Sequence, residues 1–248
     1  MGGHGMNPSR VDVVLVRPAR PANVAAACRA MKNMGLGRLR IVDPPPGLGD
    51  PDVRSLAYGA WDVLDAARPA ASLLEAVGDA ALVVGTSGRA LPDAWTPRRL
   101  AAEGAARARG GRISLVFGPE RSGLTNEELD LCPLRVHIPT SGEHSSLNLA
   151  QAVLVVAYEI RVSSTEEPAS EGPPVAAAAE LEQAVRDLRA GLLEVGYLNP
   201  DQPDDVLAEI RRLLARAGPT PREVALLRGL ARQIGWAGRK AREGPGIG

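Results

Sequence analysis

Cysteine is nearly absent: Cys28 and Cys132 are the two in 248 residues. That excludes a disulfide framework and points to a reducing compartment, with the cytoplasm as the default expectation. Histidine is almost as scarce, with His4, His137 and His144 the full set. None has the cysteine or carboxylate neighbours at the spacing a zinc site needs, so no metal is expected. Aromatic side chains make up 3%, which leaves few rings for base stacking. An excess of one charge is missing too. With 29 basic and 29 acidic side chains, the total advertises no polyanionic partner, although a local basic patch would still serve one. The start, MGGHGMNPSR, carries no apolar signal core. The longest apolar run, Leu149 to Tyr158, contains Gln151 and is too short for a bilayer. No membrane partner is therefore expected. Also lacking are a G-x-G-x-x-G after the first apolar run, a G-x-x-x-x-G-K-[ST] and a G-x-S-x-G, which removes the signals of dinucleotide folds, P-loop nucleotidases and serine hydrolases.

What is present is a chain long enough, at 45% hydrophobic, to bury a sizeable core. Short Val/Ile/Leu runs recur at 11 to 16 (VDVVLV), 39 to 43 (LRIVD), 81 to 86 (ALVVGT), 113 to 118 (ISLVFG) and 134 to 139 (LRVHIP). Their hydrophobicity is continuous rather than alternating, as in strands covered on both faces. The expected fold class is α/β, a mostly parallel sheet flanked by helices. Residues 23 to 34 read as a helix with Asn23 as N-cap and Gly35 beyond its end. Its apolar stripe is Val24, Ala27, Cys28, Met31 and Met34, so Arg29 and Lys32 project from the other side. Thr125 to Glu128 has the form of a capping box, and Ser145 or Ser146 can cap the helix that follows.

Between 162 and 176 the composition shifts to Ser, Glu, Pro and Gly, the mark of a flexible linker. It separates a domain at 1–161 from a helical extension at 177–243. Three helices are expected there, at 177 to 195, 203 to 217 and 220 to 235, with a tail of weak structural signal.

In a parallel α/β sheet, ligands settle beyond the carboxyl ends of the strands. Three such ends, 85 to 89 (GTSGR), 117 to 123 (FGPERSG) and 139 to 148 (PTSGEHSSLN), are rich in small and polar residues whose backbone a ligand can approach closely. Turns need Gly, Ser and Pro in any case, but three such loops on one edge favour a pocket. Around them stand Asn23, Arg29, Glu120, Ser146 and Asn148. Taken singly these are a cap, a solvated helix face and loop polars. His137 alternates within a strand and reads as a packed residue.

Taken together, NVAAACRAMKNMG, LVFGPERSGLTNEEL and IPTSGEHSSLNLAQAVLVVAYE resemble, in that order, the three motifs of the SpoU-type SPOUT RNA 2′-O-methyltransferases, and most closely the TrmJ-like tRNA branch. The resemblance covers residues 11 to 161. It continues more weakly through LLEVGYLN, IRRLLARA and EVALLRGLARQI, which look like a TrmJ-like C-terminal extension. Ala22 stands where relatives often have glycine, and His144 where tyrosine is common.

The resemblance implies S-adenosylmethionine as methyl donor, a ribose 2′-hydroxyl of tRNA as acceptor, at the pyrimidine nucleotide of anticodon-loop position 32, a homodimer with sites at the subunit interface, and a C-terminal trefoil knot. It assigns the cofactor to Thr86, Ser87, Gly88, Gly118, Ile138, Ser145, Ser146 and Leu147. It assigns the chemistry to Arg29, with Ser146 and Asn148 orienting the hydroxyl or supporting Arg29, Asn23 organising the first motif and Glu120 holding neighbouring loops or Arg29. A guanidinium gives up a proton only above about pH 12, so electrostatic activation by Arg29 is the expected role. The alternatives are a SpoU-type enzyme acting on ribosomal RNA and a catalytically silent RNA-binding relative.

Overall fold

A computed structural model describes residues 6–141, 147–164 and 173–242. Six parallel strands form one sheet: β1 (Val11–Val16), β2 (Arg38–Val42), β3 (Arg68–Ala70), β4 (Leu82–Ser87), β5 (Ile113–Phe117) and β6 (Leu134–His137). Their spatial order is β3-β2-β1-β5-β4-β6, with every pairing parallel. The continuous apolar runs have the reason anticipated for them. In β1, Val11, Val13 and Leu15 enter the core on one face while Val14 and Val16 enter a second cluster on the other. Asp12 interrupts that run. Its fully buried carboxylate is held by Arg38 at 2.6 Å, Arg40 at 3.1 Å and Arg112 at 3.4 Å, as a buried charge requires.

The first face is covered by α1 (Pro21–Asn33), α5 (Pro97–Ala108) and α7 (Leu149–Ser163), the second by α4 (Leu73–Val77) and α6 (Asn126–Asp130). Short helices α2 (Pro51–Leu56) and α3 (Trp61–Asp65) pack beside α1. The extension holds α8 (Ala178–Glu194), α9 (Asp204–Ala217) and α10 (Pro221–Arg242). There α8 and α10 lie so close that a Cβ on Gly191 would stand 2.5 Å from the Ala231 carbonyl oxygen. The unit joins the second face through Ala178 N–H to Ala80 O, 3.0 Å, and through the contact of α8 with α4. Among the described residues no helix is long and apolar enough to cross a membrane.

Several boundaries differ from those the sequence led us to expect. Pro21 at the first helical position starts α1 two residues early, so the N-cap is Arg20 and Asn23 lies inside the first turn. The cap of α7 is Asn148, which forms a capping box with Gln151; Ser145 and Ser146 lie outside the described residues. The helix expected to stop at 235 continues to Arg242. Residues 162 and 163 belong to α7, while Val175 and Ala176 are buried, which shortens the expected linker at both ends. The three-residue edge strand β3 had no periodic signal.

Candidate functional site

Residues following β4, β5 and β6 meet beyond the carboxyl ends of the strands around a cleft of about 360 Å³, a size typical of small-ligand sites. Of the eight expected cofactor residues, Thr86, Ser87, Gly88, Gly118, Ile138 and Leu147 line it. Ser145 and Ser146 lie outside the described residues.

Local chemistry shapes each wall. Thr86 Oγ1 donates to Val116 O at 3.0 Å, tying β4 to β5. Ser87 Oγ accepts from the Arg89 N–H at 3.1 Å and donates to Arg89 O at 2.8 Å, which folds the turn back on itself. His137 is half-buried, with Nδ1 3.1 Å from Ser87 O on the adjoining strand, so it packs rather than facing a ligand. Gly118 is required by space: a Cβ there would lie 2.4 Å from Gly123 C and Leu124 N. Gly123, at φ +66°, closes the turn by donating to Pro119 O at 2.9 Å. Polar lining from Arg89, Arg121, Ser122 and Thr140 was not singled out from sequence, although each lies in one of the three flagged loops.

At the edge of the cleft Glu120 begins a chain of polar side chains. Its Oε1 accepts from Asn23 Nδ2 at 2.5 Å and its Oε2 from Ala19 N–H at 2.9 Å. Asn23 Oδ1 in turn accepts from Asn148 Nδ2 at 3.0 Å. Asn148 is fixed from behind, its Oδ1 accepting the Ala150 N–H at 2.9 Å and its N–H donating to Gln151 Oε1 at 3.1 Å. Partners thus set the orientation of both amides. Burial pushes the Glu120 carboxyl up, but the Asn23 and Ala19 hydrogen bonds, with the charge of Arg20, outweigh it and hold the group below its ordinary value.

Arg29 does not join this group. Six residues past Asn23 on α1, it is displaced by about 9 Å along the axis and about 120° around it. It is exposed, absent from the cleft wall, and without a hydrogen bond or ion pair among the described residues. Within one chain Glu120 and Asn148 do not reach Arg29: Glu120 bonds Asn23 and the Ala19 N–H, as in the loop-holding alternative, and Asn148 bonds Asn23 and nearby backbone.

Two further groups have no place in the chemistry. Cys28 and Cys132 are buried, and desolvation pushes the Cys28 thiol up to about 12 and Cys132 higher still, so neither is a nucleophile. Among the described residues no cluster of His, Cys, Asp or Glu could hold a metal ion.

Comparison with known proteins shows the family. The SpoU rRNA Methylase family model matches residues 10–158, and the model of the tRNA methyltransferase TrmJ C-terminal domain matches 179–245. The chain is 39% identical, over 89% of its length and 92% of the relative's, to the tRNA (cytidine/uridine/adenosine-2′-O-)-methyltransferase TrmJ of Pseudomonas aeruginosa. It is also 39% identical to the tRNA (cytidine/uridine-2′-O-)-methyltransferase TrmJ of Escherichia coli K12, over 90% of this chain and 94% of that one. The crystal structure of TrmJ from Z. mobilis superimposes with a TM-score of 0.76 at 33% identity, covering 90% of this chain and 98% of that chain.

Proposed function

The chain belongs to the SpoU methylase family and to its TrmJ branch, and from that membership we propose that it transfers a methyl group from S-adenosylmethionine to a ribose 2′-hydroxyl in tRNA. The observation that carries the reading is the cleft built by the three strand-end loops, with the Glu120–Asn23–Asn148 chain along its edge. The residues present fit the cofactor: Gly118, lacking a Cβ, lets the Gly123–Leu124 backbone close in as one wall of the cleft, Ile138 and Leu147 give apolar walls, and Thr86 and Ser87 give polar ones. When bound, the cofactor supplies an electrophilic sulfonium methyl.

The residues of the chain do the rest. A ribose hydroxyl is a poor nucleophile, so it must be placed in line and lose its proton as it attacks. Glu120, Asn23 and Asn148 hold one another, and so fix the first turns of α1 and α7 where the acceptor would lie. Ser146 would orient the hydroxyl. Arg29 would hold the phosphate of the target nucleotide and favour the developing alkoxide, with phosphate or solvent taking the proton. Because Arg29 points away from its own cleft, it would serve the cleft of a second copy in a homodimer. Exposed Leu154, Tyr158 and Val162, four apart on the outer side of α7, give that copy an apolar stripe, and α7 packs directly against α1.

The acceptor would be the pyrimidine at anticodon-loop position 32 of cytoplasmic tRNA. The unit that ends with α7 would carry the trefoil knot, and the helical extension would be joined to it by a linker shorter than residues 162–176. The match of residues 179–245 to a tRNA methyltransferase domain favours tRNA over ribosomal RNA. The test is transfer of labelled methyl from S-adenosylmethionine to unmodified tRNA by the purified protein, mapped to a ribose. Binding of both ligands without turnover would establish a silent relative instead.

A further inference from the structure

Arg17 follows β1 with φ at +45°, a left-handed state that costs a non-glycine residue energy. Its N–H donates to Val42 O at 2.8 Å. Its guanidinium reaches a residue 111 positions away, Nη1 donating to Glu128 Oε1 at 2.5 Å and Nη2 to Oε2 at 3.0 Å. The Glu128 side chain is 13% exposed, and its Oε2 also accepts the Thr125 N–H at 2.8 Å, closing the capping box of α6. An exposed ion pair between flexible side chains does little. This one is two-pronged, largely buried on the acid side, and made by an acid already fixed as a helix cap.

Its neighbours give it a consequence. Pro18, buried and with its φ fixed by the ring, links Arg17 rigidly to Ala19, whose N–H is held by Glu120. The stretch from the end of β5 into the first turn of α6 therefore grips the β1–α1 turn and the start of α1 twice: Glu128 on Arg17, and Glu120 on Ala19 and Asn23. Arg121 to Leu124, between the two acids, line the cleft.

We propose that Arg17 is a positioning residue for methyl transfer: its two-pronged bond to Glu128 locks the β1–α1 turn against the β5–α6 segment and so keeps Glu120, Asn23 and Asn148 in bonding register. This rests on the methyl-transfer reading of the site. Burial pushes the Glu128 carboxyl up, yet the Arg17 bond and the Thr125 cap hold it below its ordinary value, so the lock persists through mildly acidic conditions.

The test compares Arg17→Ala, Arg17→Lys and Glu128→Gln, the last of which still accepts the Thr125 N–H and keeps the helix cap. Assays run well below each variant's melting temperature. Arg17→Ala lowers kcat by about tenfold to a hundredfold with KM for tRNA unchanged, the scale expected of misplacement near a reacting centre. Arg17→Lys is intermediate, Glu128→Gln reproduces the loss, and the Arg17→Ala/Glu128→Gln double variant is no worse than either single one. Wild-type kcat in folded Arg17→Ala, a defect confined to KM, or fully multiplicative losses would each overturn the proposal. Amide hydrogen exchange gives a readout without turnover: Ala19 exchanges faster in Arg17→Ala. If the wild-type protein transfers no methyl group, the parent reading fails, and the Ala19 exchange rate still decides whether Arg17 sets the position of the turn, with an unchanged rate counting against it.

Discussion

Replacing Gly118 by alanine should damage cofactor binding and chemistry together. The new Cβ would stand 2.4 Å from Gly123 C and Leu124 N, and 2.9 Å from Gly123 O. All three are backbone atoms, not the yielding tip of a side chain. The turn from Pro119 to Leu124, closed by Gly123 N–H to Pro119 O, must therefore retreat by about 1 Å to regain ordinary contact. Forced displacement of this kind costs about 1–3 kcal/mol, and because the same turn is a wall of the cleft, affinity for S-adenosylmethionine should fall roughly tenfold or more. Glu120 rides on the turn, so its bonds to Ala19 and Asn23 stretch, and the single-turnover rate should drop by about a further hundredfold. Calorimetric titration with S-adenosylmethionine and single-turnover transfer at saturating cofactor separate the two losses. A folded Gly118→Ala variant with wild-type affinity and rate would refute the placement of this loop.

Three other outcomes follow from the geometry. Arg29→Ala should abolish transfer to tRNA while S-adenosylmethionine still binds, because Arg29 lies outside the cleft wall; retained turnover would remove it from the chemistry. Glu120 is held below its ordinary carboxylate value, so its contribution to stability is complete above that value and is lost as pH falls through the lower folded one. Glu120→Gln has one acceptor for the two donors Ala19 and Asn23, so it should lose about 1 kcal/mol at neutral pH and show a flatter acid limb in thermal melts; an identical acid limb would contradict this. Gly191→Leu would drive a side chain into the Ala231 carbonyl of α10, costing about 1–3 kcal/mol or more. It should lower the melting temperature of the extension with cofactor affinity kept, and an unaltered melt would show that α8 and α10 do not meet there.

The sequence by itself determined the layers and the edge on which the site lies. Unbroken Val/Ile/Leu runs require cover on both faces of each strand, and Val13 and Val14 now sit in cores on opposite sides of β1. Gly85 to Arg89, Phe117 to Gly123 and the segment from Pro139 were marked by residues that let a chain turn tightly, a local property that needs no partner. The ordering of motifs added the family and the names of the site residues. Partners were beyond its reach. Asn23 has the local chemistry of a helix cap; Pro21, a local signal, starts the helix earlier, and only packing shows that the amide is spent on Glu120, 97 residues away, and Asn148, 125 away. The outward projection of Arg29 was legible from the apolar stripe of α1; that it meets neither Glu120 nor Asn148 was not. Arg17 carries no motif at all. Its importance comes from a contact across 111 residues, which arises when β1 and β5 pair side by side and bring the ends of two distant loops together. Local pattern fixes what a segment can form; which donor meets which acceptor is decided by how the sheet orders its strands.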